Sequence, residues 1–144
     1  LFITAIMEGR RPTIYGDGLQ TRDFTYVANN VQANILAATT EKPVTGKIFN
    51  IACGTSSSVL DLLKAINEAL CPPTARSEKC GDGSPSSPNP ASPFVPMEPL
   101  FAPARKGDIK HSLADISLAR KLLGYEVKVN FTEGIKRTVE WYLN

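Results

Sequence analysis

Apolar residues open the chain at helical spacing: Phe2, Ile3, Ile6 and Met7 predict one helical face, and Gly9 is placed to stop it. An apolar run then enters Gly16-Asp17-Gly18. Asp-Gly between extended runs predicts a hairpin whose turn needs positive φ, with Arg22 on the returning strand. Val27, Val31, Ile35 and Ala38 predict an amphipathic helix, closed by a polar run and Pro43. Residues 47–52 (KIFNIA) predict a short strand buried on at least one side. Ser57 or Ser58 can cap the next helix, whose apolar face is Val59, Leu62, Leu63, Ile66 and Leu70, with Asp61 favourable in its first turn.

Residues 72–103 then hold nine of the eleven prolines, together with Ser84, Ser86, Ser87 and Ser92. Proline removes donors and fixes φ, so this stretch is expected to be an exposed, disordered Pro/Ser-rich insertion that neither pairs nor coils. Order is expected to resume at Arg105. Asp115 is placed to cap a helix that runs through Leu123 and ends at Gly124. Phe131, Ile135, Val139 and Tyr142 line a last helix capped near Thr132, with Trp141 sharing its packing face. Strands alternating with helices predict an α/β fold.

With 144 residues, 42% of them hydrophobic, the chain can bury one core but hardly two. A net charge of +2 is too balanced for a nucleic-acid footprint. No run approaches the ~18 apolar residues of a membrane span. Cys53, Cys71 and Cys80 are odd in number and lack CxxC spacing, and His111 is the only histidine. Reduced thiols in a cytoplasmic protein, with no metal site, are therefore expected. The chain begins at Leu1 inside a helical pattern, which reads as part of something longer.

Two places carry candidate chemistry. If strand alternation continues from Arg22, then Arg22, Phe24 and Tyr26 share one face. A guanidinium beside an aromatic ring suits a diphosphate next to a sugar or base, because its planar fork takes phosphate oxygens in pairs. Taken alone, an ion pair with Asp17 or Asp23 is the simpler reading. In Arg105-Lys106-Gly107-Asp108, the glycine turn can bring a cation and a carboxylate to one ligand, one for phosphate and one for ribose hydroxyls. Alone, a solvated loop salt bridge is the simpler reading. His111 reads as a structural or surface residue, Asn50 as a turn pin, Cys53 as a buried thiol and Asp115 as a helix cap.

The runs IYGDGLQTRDFTYV, ANNVQANILAAT, FNIA, RKGDIKHSLADISLARKLLGY and EGIKRTVEWY occur in that order. Together they resemble the C-terminal, sugar-nucleotide-binding part of the extended short-chain dehydrogenase/reductases, the NAD-dependent epimerase/dehydratase family. The flavour is that of UDP-N-acetylglucosamine or UDP-glucose 4-epimerases. The resemblance spans nearly all of residues 1–144 except 72–103. It implies an α/β substrate-binding lobe packed against a preceding Rossmann domain, built of helices, short strands and a hairpin. It also implies that Arg22, Arg105 and Asp108 hold the phosphates and ribose of a UDP-sugar. The backbone around Tyr15 would meet the uracil, and Phe24 stands where a tyrosine is common. The implied reaction oxidises the sugar C4 hydroxyl with NAD, rotates the 4-keto sugar and returns the hydride, in an enzyme that is a homodimer when complete. Dehydratases and decarboxylases with the same grip remain open, as does a truncated, non-catalytic binding module.

No GxxGxxG or GxGxxG turn is present to cradle a dinucleotide. None of Tyr15, Tyr26, Tyr125 and Tyr142 is followed by lysine four residues later, the pair that the family's hydride chemistry requires. NAD is therefore expected to be bound by a missing N-terminal domain, with no catalytic residue on this chain.

Overall fold

The computed structural model describes residues 1–72 and 93–144. Helices α1 (Phe2–Met7), α3 (Val59–Leu70) and α5 (Phe131–Leu143) pack around strand β1 (Thr13–Tyr15). Ile3, Ile6, Ile14, Leu63, Ile66, Leu70 and Val139 form this first core. Burying each such aliphatic side chain contributes roughly 1.5–3 kcal/mol. The α3 face is thus the one its spacing predicts. Ser58 caps that helix: its hydroxyl accepts from Asp61 N at 3.0 Å, and Asp61 Oδ2 accepts from Ser58 N at 2.9 Å. The Ser58 hydroxyl, which also lies 2.6 Å from Asp61 Oδ2, and then the Ser58 N–H hold the Asp61 carboxyl below its usual range.

A second core joins α2 (Val27–Thr39) to α4 (Ser117–Leu123) through Ala33, Ala52, Ile116, Ala119, Leu123 and Tyr125. The Tyr125 hydroxyl donates to Ala52 O at 2.9 Å, so its one polar atom is satisfied. Helix α4 ends at Gly124 with φ 67°, as expected. Asp115 acts from one position outside the cap, accepting from Ser117 N at 2.9 Å. Asn130, and not Thr132, caps α5 by accepting from Glu133 N at 3.0 Å. The fold is α/β, with small sheets set among helices.

Several expectations fail, each for a non-local reason. There is no hairpin at Gly16-Asp17-Gly18. Instead β1 pairs in parallel with β4 (Leu100–Ala102), while β2 (Thr21–Arg22) pairs antiparallel with β3 (Ser57–Ser58). The turn passes the chain from one sheet to the other. Gly18 is required there: it sits at φ 75°, and a Cβ would lie 2.8 Å from the Leu60 side chain.

The expected insertion 72–103 is only partly covered, since 73–92 lie outside the described residues. Residues 93–103 are built into the fold. Leu100 N donates to Pro12 O at 2.9 Å, Gly16 N donates to Ala102 O at 2.9 Å, and the Arg11 guanidinium reaches Pro99 O at 2.7 Å. Phe94 and Met97 pack on the first core. Pro93, Pro96, Pro99 and Pro103 all fall outside the three strand residues, so none removes a ladder donor.

The stripe Val27, Val31 and Ile35 is exposed, and α2 turns Asn29 and Ala33 inward instead. Asn29 is fully buried because its amide is satisfied: Nδ2 donates to Val129 O at 2.7 Å, and Oδ1 accepts from Val129 N at 3.1 Å and Lys128 N at 3.2 Å. Residues 47–52 are buried on one side as expected, with Phe49 and Ile51 against the second core. They form no ladder with any described strand. Trp141 is 73% exposed and packs edge-on against Tyr142, so it is not part of a buried face.

Two substitutions check these assignments by chemical denaturation. Ser58→Ala should cost about 1 kcal/mol at neutral pH. Because folding lowers the Asp61 pKa, its stabilisation is present above the unfolded value of 3.8 and is lost as pH falls through the folded value. The gap between wild type and Ser58→Ala should therefore close in acid. Asn67 Oδ1 accepts from Met97 N at 3.0 Å, and its Nδ2 donates to Met97 O at 3.1 Å. Asn67→Ala should cost ~1–3 kcal/mol by stranding both groups; no loss would mean that 93–99 is not built into the fold.

Candidate functional site

Strand β2 and the residue after it are held between two loops. On one side Thr21 N donates to Lys110 O at 2.8 Å and Ser112 N donates to Thr21 O at 3.1 Å. The Thr21 hydroxyl also meets His111 Nδ1 at 3.1 Å, so His111 braces this junction, as a structural residue would. On the other side the Asp23 carboxylate accepts from Cys53 N and Gly54 N, each at 2.9 Å. Arg22 projects from between these clamps.

Its guanidinium donates through Nη2 to Asp108 Oδ1 at 2.7 Å and through Nη1 to Thr21 O at 2.8 Å. The partner is therefore neither Asp17 nor Asp23. Asp17 is used in its own turn, accepting from Leu19 N at 2.9 Å. Gly107, at φ 83°, allows the turn in which Asp108 N donates to Arg105 O at 3.2 Å. The Arg105 guanidinium lies 3.9 Å above the Tyr15 ring centre, a cation–π contact. Tyr15, Arg105, Asp108 and Arg22 thus form one chain of contacts, although Tyr15 and Asp108 are far apart in sequence. Gln20 Nε2 donates to Tyr15 O at 2.9 Å, which engages the backbone carbonyl expected to face a base.

Phe24 does not join this group. The strand ends at Arg22, alternation does not carry through, and the Phe24 ring packs 5.6 Å from that of Phe131. There it lines a cavity of about 230 Å³ against α5. A larger hollow of about 650 Å³ lies by Gly54, Asp115 and Arg120. Neither contains Arg22 or Arg105. We weigh the charged group more heavily, because Asp115 in the larger hollow already accepts from Ser117 N.

The Cys53 thiol is pushed up first by burial and then by the Asp23 charge, and its Sγ donates to Phe24 O at 3.3 Å. It is a poor nucleophile. No group of three His, Cys, Asp or Glu side chains among the described residues is placed to hold a metal, and none of their helices is long and apolar enough to cross a membrane. Sequence reasoning missed Asp23, Gln20 and Asn29. The available signal for Asp23 was its place on the opposite strand face from Arg22, where a carboxylate needs donors.

The family model described as GDP-mannose 4,6 dehydratase matches residues 1–138. The chain belongs to this family, the extended short-chain dehydrogenase/reductases that act as epimerases and dehydratases. It is 33% identical over its whole length to a UDP-glucose 4-epimerase of Mycolicibacterium smegmatis, of which it covers 38%. It is 32% identical over 99% of its length to a dTDP-glucose 4,6-dehydratase of Haemophilus influenzae, again covering 38%. The solved UDP-glucuronic acid 4-epimerase of Bacillus cereus, in complex with UDP-glucuronic acid and NAD, matches 97% of the chain and 37% of its own length, with 27% identity and a TM-score of 0.74. The chain therefore spans well under half the length of these relatives.

Asp23→Ala should release the 53–54 loop. We expect ~2–3 kcal/mol of destabilisation, since two backbone donors lose a charged acceptor. Cys53 should also be alkylated faster, because its burial and the charge that raises its pKa are both relieved. Unchanged alkylation at Cys53, read by peptide mass spectrometry, would refute the clamp.

Proposed function

We propose that this chain is the UDP-sugar-holding part of an NAD-dependent 4-epimerase. The observation that carries this is the convergence of Tyr15, Arg22, Arg105 and Asp108 from two strands and one turn. Arg22 and Asp108 neutralise each other at 32% and 39% side-chain exposure. Such an exposed pair is worth about 0–1 kcal/mol, whereas a charge-assisted phosphate contact is worth roughly 1.5–3 kcal/mol. A diphosphate therefore displaces Asp108 from Arg22. The freed carboxylate then accepts from the vicinal hydroxyls of ribose, while Arg105 takes the second phosphate. Firm hold at the nucleotide end leaves the sugar free to turn, as a 4-keto intermediate must when hydride returns to its other face.

The described residues do not fit NAD: none of their helices opens on a glycine-rich pyrophosphate turn, and no tyrosine carries a lysine four residues on. NAD, the hydride chemistry and homodimer formation are assigned to the complete enzyme, of cytoplasmic type, and the 144 residues alone should show no epimerase turnover. A second reading is a 4,6-dehydratase, favoured by the family description and the Haemophilus influenzae relative. NMR of products from the complete enzyme separates the two: a C4 epimer supports the first, a 4-keto-6-deoxy sugar the second.

Titration calorimetry with UDP tests the grip. Arg22→Ala and Arg105→Ala should each weaken binding about ten- to a hundred-fold without loss of helical signal. Lysine at either position should rescue only in part, because a point charge cannot reproduce the fork. Asp108→Asn should weaken UDP less than either arginine change. Unaltered affinity in Arg22→Ala would leave Arg22 as a surface ion pair and remove the main support for the site.

A further inference from the structure

We propose that the Arg105–Tyr15 stack is a clasp that only a diphosphate opens. In the free chain the guanidinium covers the face of the Tyr15 ring on which a nucleotide base stacks. The base is therefore admitted only when phosphates draw Arg105 away. The inference rests on the UDP-sugar reading and adds a rule of selection to it: the site takes a nucleoside diphosphate and disfavours the bare nucleoside.

The sheet brings the pair together. Tyr15 ends β1 in parallel register with Ala102, so the chain that carries Arg105 leaves the ladder at the same end. Gly16 N donates to Ala102 O at 2.9 Å, which keeps the two runs together beyond their last paired residues. Gly16 lies against Ala104, for a Cβ on it would be 3.6 Å from the Ala104 Cβ. Each backbone is also tied separately. Gln20 Nε2 donates to Tyr15 O at 2.9 Å, and Asp108 N donates to Arg105 O at 3.2 Å. The Arg105 side chain alone is left to move, and its guanidinium carbon lies 3.9 Å from the ring centre.

The charge on Arg105 is held unlike those on other arginines. Arg10, Arg22 and Arg137 each face a carboxylate, and Arg11 donates to two backbone carbonyls. Among the described residues Arg105 has no carboxylate partner, and its charge meets the π face of Tyr15, itself 39% exposed. A cation over an exposed ring is held weakly, whereas a phosphate offers full charge and two oxygens to the planar fork. A diphosphate therefore takes the guanidinium from the ring. A neutral base has no charge with which to do so, and it must compete with the cation for the same face. Joined in one molecule, the diphosphate clears the surface that the base then uses.

Three probes separate these parts: uridine, inorganic pyrophosphate and UDP, each titrated into the 144-residue chain and followed by NMR shifts. Arg105→Ala uncovers the ring and should strengthen uridine binding about two- to fivefold, the worth of an exposed cation–π contact, in the same variant that loses affinity for UDP. Tyr15→Leu frees the guanidinium and should strengthen pyrophosphate binding by a similar factor, about two- to fivefold. Independent contacts would leave uridine indifferent to the first change and pyrophosphate indifferent to the second. A readout without variants is the Arg105 Cδ protons. In the free chain they should lie upfield of those of the other arginines, under the Tyr15 ring current, and move downfield as pyrophosphate is added. Unchanged or weaker uridine binding in Arg105→Ala, with UDP binding reduced, would overturn the clasp and leave the UDP grip standing. Arg105 protons that stay upfield in the UDP complex would do the same. A wild-type chain that binds no UDP would overturn grip and clasp together.

Discussion

The Asp23 carboxylate holds the two halves of the fold in one relation. It directly follows β2, which is bonded through β3 to the helix of the first core. It accepts two backbone N–H groups from the 53–54 loop, which belongs to the second. A half-buried carboxylate is costly without donors, so these two bonds are obligatory where others would be optional. They also fix where the preceding residue points. With Thr21 tied to the 110–112 backbone, Arg22 is held at both neighbours and has only its side-chain torsions left free.

That rigidity explains how weak contacts can make a usable site. The Arg22–Asp108 pair and the Arg105–Tyr15 stack are each surface interactions of modest energy. Neither could order a loop by itself, since fixing one backbone residue costs ~1–2 kcal/mol. The order comes from elsewhere: the β1–β4 register, the Thr21 bridge to His111 and the turn at Gly107. The side chains can therefore exchange partners while the scaffold stays put. On the proposed reading, this lets a diphosphate replace a carboxylate without moving a strand.

Features set by a few neighbouring residues were legible in the sequence. Ser58 and Asp61 announce a cap three residues apart, Gly124 announces a stop, and the α3 face follows from spacing. Arg22, Arg105 and Asp108 were legible as a group only through motif order, since spacing alone left each as a plausible surface ion pair. Features that depend on a distant partner were not legible. Asp-Gly predicts a turn, but not that Thr13 will lie beside Leu100 instead of the strand that follows. Proline density predicts disorder, yet β4 survives because its prolines fall outside the three residues that pair. Phe24 left the Arg22 face because Phe131 offered a ring to pack on.

The misreading of α2 is of another kind. Apolar spacing assigned Val27, Val31 and Ile35 to the core, and the fold buries Asn29 instead, at no cost in unmet hydrogen bonds. An amide whose donor and acceptor are all used can sit inside as readily as a valine. The apolar stripe then has no duty within these residues, and the unpaired backbone of 48–51 has none either. The hydrophobic pattern marked the apolar positions of α2 but not the face that the fold buries.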